Sequence, residues 1–168
     1  NAAVFVLITH RSDYALPWTG HPHLTSMTLN RLSRGQGRKI AQSVGGDELI
    51  ESVIDRIVAR AEGLPLHIEE LSKSLLESPT PAEDAAIPTT LKASTMARLD
   101  RLGNAKQVAQ VGSVIGREFS YPLIVAISHL SKDDTDAALA SMVKSGLFYQ
   151  HGTAPEASYQ FKHVLVQD

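Results

Sequence analysis

The spacing of apolar positions changes along the chain, and each change predicts a different kind of element. Residues 2–9 read Ala2-Ala3-Val4-Phe5-Val6-Leu7-Ile8-Thr9, an uninterrupted and largely β-branched run. That is the pattern of a strand buried on both faces inside a parallel sheet. A polar segment, His10-Arg11-Ser12-Asp13-Tyr14, follows at what would be the strand's C-terminal end. Pro17, Gly20 and Pro22 predict a loop over 15–26, and the alternation of Met27 and Leu29 predicts a short extended segment.

Beyond residue 32 the period becomes helical. Ser33 followed by Gln36 predicts a capping box and a helix with two glycines reaching about Val44, stopped by Gly45-Gly46. Leu49, Ile50, Val53, Ile54, Ile57, Val58 and Ala61 predict a second helix, from Asp47 to a stop at Gly63. Pro65 suits the first turn of a third, which carries Ile68, Leu71, Leu75 and Leu76 on one face and ends near Ser78. Residues 79–88 are rich in Pro, Ala and acid, which predicts a linker and a domain boundary. Helices are then expected at 89–102, 105–115, 120–128 and 133–145. Ser131 would cap the last of these, with Asp133 and Asp134 in its first turn. Residues 147–150 and 158–161 flank Gly152 and Pro155 and predict a β-hairpin. Helices followed by a hairpin describe a winged helix.

Composition narrows the function classes. Of 168 residues, 43% are hydrophobic and 20% charged, enough to bury a core. The formal charge of −2, from 16 basic and 18 acidic residues, argues against a general nucleic-acid binder. There is no cysteine, which excludes disulfides and thiolate metal sites and favours the cytoplasm. No apolar run approaches the roughly 20 residues of a membrane helix, so no membrane partner is expected, and no secretory leader is present. Both ends are expected to be cuts in a longer protein. The chain begins without Met in a strand pattern whose sheet neighbours must lie in preceding sequence or another molecule. It closes in what reads as the first turn of a helix.

Three places could carry chemistry, each with a plainer reading beside it. Arg11 stands at the ligand edge of the expected strand, where a guanidinium can sense a γ-phosphate; it also fits a solvated loop. Gly63-Leu64-Pro65 is a stop followed at once by a helix start. Such an elbow can lay Pro65 on a base and aim helix N–H groups at an anion, or be an ordinary turn. His163 follows the hairpin and could donate to phosphate, or be a half-buried His. Elsewhere the search is negative. No phosphate loop is present, and Gly35-Gln36-Gly37-Arg38-Lys39 lacks its spacing. His21 and His23 have no third metal ligand, and no nucleophile elbow organises Ser, His and Asp. Glu69-Glu70 and Asp133-Asp134 read as solvated helix faces.

An ordered set of motifs spans essentially the whole chain: Thr9-His10-Arg11-Ser12-Asp13-Tyr14, Trp18-Thr19-Gly20, Leu29-Asn30-Arg31-Leu32, the stretch from Glu62 to Leu71, Ile87-Pro88-Thr89-Thr90-Leu91, the stretch from Met96 to Leu102, the stretch from Ile115 to Tyr121, and Phe161-Lys162-His163 through Asp168. Together they resemble the second half of the STAND-type ATPase domain, related to AAA+ proteins, that follows the cyclase domain in bacterial class III adenylate/guanylate cyclases. The resemblance implies a mainly α fold: residues 1–32 as the last strand and loop of a truncated parallel α/β ATPase core, 33–78 as a helical lid subdomain, 79–88 as linker and 89–168 as a winged-helix domain. It implies that Arg11 is a sensor, that Gly63 and Pro65 touch the adenine side of a nucleotide, and that His163 lies near the phosphates. The phosphate loop and Mg-binding acids would precede residue 1. ATP or ADP with Mg would be the cofactor of the full-length protein, held weakly by this chain alone. The parent would be a cyclase, a lyase, while this chain is expected to catalyse nothing. Its partners would be the missing ATPase core and the cyclase domain.

Two other readings compete. A DNA-binding winged helix would read the groove with residues 132–144, but three Asp and two Lys make that face a poor match for phosphates. A protein-interaction module of a transcriptional regulator could use the winged helix, or could dimerise through strand 4–8.

Overall fold

The computed structural model describes residues 3–11, 13–18, 20–79, 82 and 85–163. It divides into two units, Asn1–Asn30 and Arg31–Asp168.

A strand satisfies its backbone only through a neighbour, and among the described residues none pairs with the apolar run at the start of the chain. The described residues of 3–30 contain no helix and no strand. Val4, Phe5, Val6 and Leu7 are 79, 89, 70 and 77% exposed. The buried strand expected at 4–9 is therefore corrected to an exposed, irregular segment. Local turns occur among its described residues, such as Tyr14 N–H donating to the Arg11 carbonyl at 3.1 Å.

Helices close their own hydrogen bonds, so the periodic segments after residue 32 fold on local information. Helix α1 spans Arg34–Gly45 and carries the expected capping box. Ser33 N–H donates to Gln36 Oε1 at 2.9 Å, and Gln36 N–H donates to Ser33 Oγ at 3.3 Å. A 3-10 turn follows at Gly46–Glu48, and α2 begins only at Glu51, running to Ala61. The delay relative to Asp47 has a packing cause. Leu49 folds back over α1 so closely that a Cβ on Gly45 would sit 2.4 Å from its Cδ1. Helix α3 is Pro65–Leu76, with Pro65 in its first turn. Helix α4, Leu91–Arg101, is capped by Thr90, whose Oγ1 accepts from Ala93 N–H at 3.1 Å.

The remaining elements run α5 (Asn104–Ile115), β1 (Glu118–Ser120), α6 (Tyr121–Ile127), α7 (Lys132–Lys144), β2 (Phe148–His151) and β3 (Ser158–Phe161). The predicted hairpin is β2–β3, with Phe148 opposite Phe161. A third strand, β1, pairs antiparallel with β3, giving the order β1-β3-β2. The fold is thus mainly helical with a small antiparallel sheet. The helix expected at the close of the chain falls largely on 164–168, which lie outside the described residues, as do positions 2, 12, 19, 80, 81, 83 and 84 of the segments named above.

Two hydrophobic cores form. Ala41, Leu49, Val53, Ile54, Ile57, Ile68, Leu71 and Leu75 fill the first, between α1, α2 and α3. Leu99, Val108, Phe119, Ile124, Leu139, Met142, Phe148, Tyr159 and Phe161 fill the second, between α5, α6, α7 and the sheet. The expected linker is tied to the first core. Ala85 is buried, Ile87 packs against that core, and Arg56 Nη2 donates to the Ala85 carbonyl at 3.0 Å.

Candidate functional site

The elbow between α2 and α3 is built on backbone. Glu62 ends α2 in the left-handed region, and Gly63 continues at φ +76°. The chain there doubles back onto residues 31–32. Leu32 N–H donates to the Gly63 carbonyl at 2.9 Å, and Arg31 Nη1 donates to the Glu62 carbonyl at 3.0 Å and to its carboxylate at 3.1 Å. A Cβ on Gly63 would lie 2.6 Å from the Leu32 carbonyl oxygen. Conformation and space both demand glycine. Leu64, the N-cap, makes no side-chain cap and is 45% exposed. Pro65 beside it is exposed. The elbow thus offers an apolar surface at the start of a helix whose first-turn N–H groups have no side-chain cap.

Further along α3 the surface becomes ionic. Arg98 of α4 is 0% exposed and bonds in several directions. Its Nε and Nη2 donate to the two carboxylate oxygens of Glu77 at 2.8 and 2.9 Å, in a fork. Its Nη1 bonds Glu70, and its Nη2 also bonds the Ser145 carbonyl at the end of α7. Burial opposes the Arg98 charge, but the hydrogen bonds to Glu77 and the charge of Glu70 outweigh it and raise the pKa. Lys73 lies 3.7 Å from the other oxygen of Glu70 and pairs with Glu69. Lys162, just after β3, reaches Glu69 at 3.4 Å. The expectation of a solvated Glu69-Glu70 face is therefore corrected: Glu70 is 1% exposed and paired. Asp133 and Asp134 are exposed at the start of α7, where Ser131 Oγ accepts from Asp134 N–H at 3.1 Å.

His163 faces this ionic group. Burial lowers its pKa, with Glu70 opposing and Lys162 assisting. Its Nε2 is buried without a hydrogen-bond partner, as are Glu70 Oε1 and His67 Nε2. Desolvation likewise lowers the His67 pKa. Both rings are thus held toward their neutral form, which leaves one nitrogen on each as an acceptor.

Of the residues singled out in the sequence, Gly63 and Pro65 open α3, and His163 approaches the same helix near Glu70. Glu70 lies five positions after Pro65, about 7–8 Å along a helix at 1.5 Å per residue. Arg11 is exposed within the 3–30 unit, where its carbonyl accepts from His10 Nδ1 at 2.8 Å. The Arg98–Glu70–Glu77 cluster was not visible as a site in the sequence. Its one signal is that Glu70 in α3 and Glu77 at its C-cap are seven residues apart, and so fall on one side of the helix. Among the described residues, no group of three or more His, Cys, Asp or Glu could hold a metal ion. No helix among them is long and apolar enough to cross a membrane.

Comparison with known proteins gives one relative to report. A protein of Rhizobium meliloti (strain 1021), described as uncharacterized, is 24% identical over 180 residues. The match covers 98% of this chain but only 17% of the relative, so the chain spans about a sixth of that protein's length. No family model matches the chain. No solved structure matches it.

Proposed function

We propose that the chain supplies the lid and winged-helix parts of a nucleotide-dependent signalling switch of the STAND/AAA type, within a multidomain protein whose effector is an adenylate or guanylate cyclase. The observation that carries this reading is an order of elements. An all-helical unit is followed by helix–strand–helix–helix–hairpin, with the first strand pairing with the last, an order that supports a winged-helix reading. The small share of the relative covered by this chain supports its being one module among several.

In this reading Gly63-Leu64-Pro65 receives the base. The exposed Leu64 and Pro65 offer an apolar surface, and the uncapped first turn of α3 suits an anion. His163 and Arg11 read phosphate. The unpartnered Nε2 of His163 fits a residue awaiting a polar ligand, although as a neutral ring it contributes direction more than charge. The chain contains no phosphate loop, so ATP or ADP with Mg would be held firmly only with the preceding ATPase core present. The chain itself is non-catalytic in this reading. The exposed apolar run at 4–8 is where that core's sheet, or a second copy, would add.

Switching requires that nucleotide favour one arrangement of core, lid and winged helix over another, since equal affinity for both shifts nothing. Calorimetric titration of Mg-ATP and Mg-ADP into this chain should detect no tight binding. The same titration into the full-length protein should detect it, and Arg11→Ala and His163→Ala should weaken the discrimination between the two nucleotides. Tight binding by the 168-residue chain, or an unchanged nucleotide response in both full-length variants, would sink the reading.

A further inference from the structure

The two cores share no apolar residue. The first closes on Ile54, Ile57, Ile68 and Leu71, the second on Leu139, Met142, Phe148 and Phe161, and no residue belongs to both. Hydrogen bonds and ion pairs join α3 to α4 and, through Arg98 of α4, to the corner between α7 and β2. Arg98 bonds Glu70 and Glu77 on one side and the Ser145 carbonyl on the other. Ser94 Oγ donates to the Glu70 carbonyl at 3.2 Å, and Arg101 Nη1 donates to the Ser74 carbonyl at 2.9 Å. Lys162 reaches Glu69.

Apolar contact is non-directional and tolerates sliding. A guanidinium fork is directional and is either made or lost. A seam of the second kind between two separately sealed cores therefore has two states. Arg98 holds it closed, with two carboxylates converging on one cation. Once Arg98 withdraws, Glu70 and Glu77 lose the cation they share, and Lys73, 3.7 Å from Glu70, is left to answer the buried carboxylate.

We propose that Arg98 is a latch fastening α3 to the α7–β2 corner, and that its release lets the helical core and the mixed core move as separate bodies with both interiors intact. This stands on the seam alone and holds whether or not the chain serves a nucleotide switch.

Hydrogen exchange followed by mass spectrometry tests it on the 168-residue chain, since peptides from α1–α3 and from α5–β3 report the two cores separately. In the wild type, the slowest amides of both cores should share one dependence on denaturant. In Arg98→Met, the α1–α3 amides should exchange at least tenfold faster than those of α5–β3, with helix content retained. Acceleration of both cores by one common factor would overturn the latch and reduce Arg98 to an ordinary buried ion pair, and so would no acceleration. Should Arg98→Met fail to fold, Glu77→Gln keeps the Arg98–Glu70 pair and should give the same differential at smaller amplitude. Equal acceleration of both cores in Glu77→Gln would overturn the proposal as well.

Discussion

In the helical core, Ile54, Ile57, Ile68 and Leu71 close the interior with branched aliphatic chains, and no Phe, Tyr or Trp occurs between residues 32 and 87. In the mixed core, rings do that work. Phe148 and Phe161 meet edge to face at 4.7 Å, and Phe119 meets Phe148 at 5.5 Å. The difference follows from what each core must join. Helices α1, α2 and α3 present side-chain ridges that interdigitate, and aliphatic groups fill such grooves without gaps. A three-stranded sheet laid on helices leaves wider spaces, which flat, bulky groups span. A helical core can thus be assembled from neighbours in sequence, while the mixed core needs β1, β2 and β3 brought together from residues 118–161.

The largest effects should come from emptying the two interiors. Phe148→Ala should cost about 3–5 kcal/mol, and Leu71→Ala about 2–5 kcal/mol. Chemical denaturation measures both. Near-ultraviolet circular dichroism separates them, because tyrosine signals from the mixed core should collapse in the first variant and survive in the second. If both variants abolish those signals alike, the two cores are not distinct. Gly63→Ala comes next. It places a side chain at φ +76° and against the Leu32 carbonyl, a strain of about 1–3 kcal/mol, and it should raise protease sensitivity at the elbow before it unfolds the mixed core. Ser33→Ala and Ser131→Ala each remove a helix cap, one per core, and should cost about 1 kcal/mol apiece. A near-equal loss in both would show that capping is indifferent to what lies beneath the helix.

The smallest expected effect is a pH dependence. Burial holds His163 and His67 below the ordinary imidazole value of 6.5. Between the lowered folded values and 6.5, the unfolded chain therefore binds the proton more readily. Stability should fall as pH drops from 7 through that window, then level once both states are protonated. Glu69 runs in a lower window. Its hydrogen bond from Lys73 lowers its pKa below 4.5 despite opposing burial, so its contribution is present above that pH and lost in stronger acid. His163→Gln should flatten the upper slope and leave the lower one.

How much of this was legible in the sequence depended on whether the information was local. Ser33 with Gln36, Ser131 with Asp134, Gly63 with Pro65 and the β2–β3 hairpin are all specified within a few residues, and each element was read correctly. Strand β1 was missed because Glu118–Ser120 is too short to show an alternation, and it is a strand only because β3 lies beside it. The apolar run at 4–9 failed in the opposite way. Its pattern is that of a strand, but among the described residues nothing pairs with it. Glu70 was misread because a carboxylate is normally solvated, and its burial is made tolerable chiefly by Arg98, 28 residues later. Of the candidate site, the elbow was readable as a motif, while its closure against Arg31 and Leu32 required the fold.

The arrangement around Arg98 also bears on how such a chain can change over generations. A substitution at position 70 or 98 strands a buried charge on the other, whereas exchanging both for apolar groups can be neutral; Glu77, whose side chain is partly open to solvent, is less constrained. Positions 70 and 98 should therefore be inherited as a pair: divergent homologues either keep the buried acid and its arginine or lose both at once, with few lineages surviving in between.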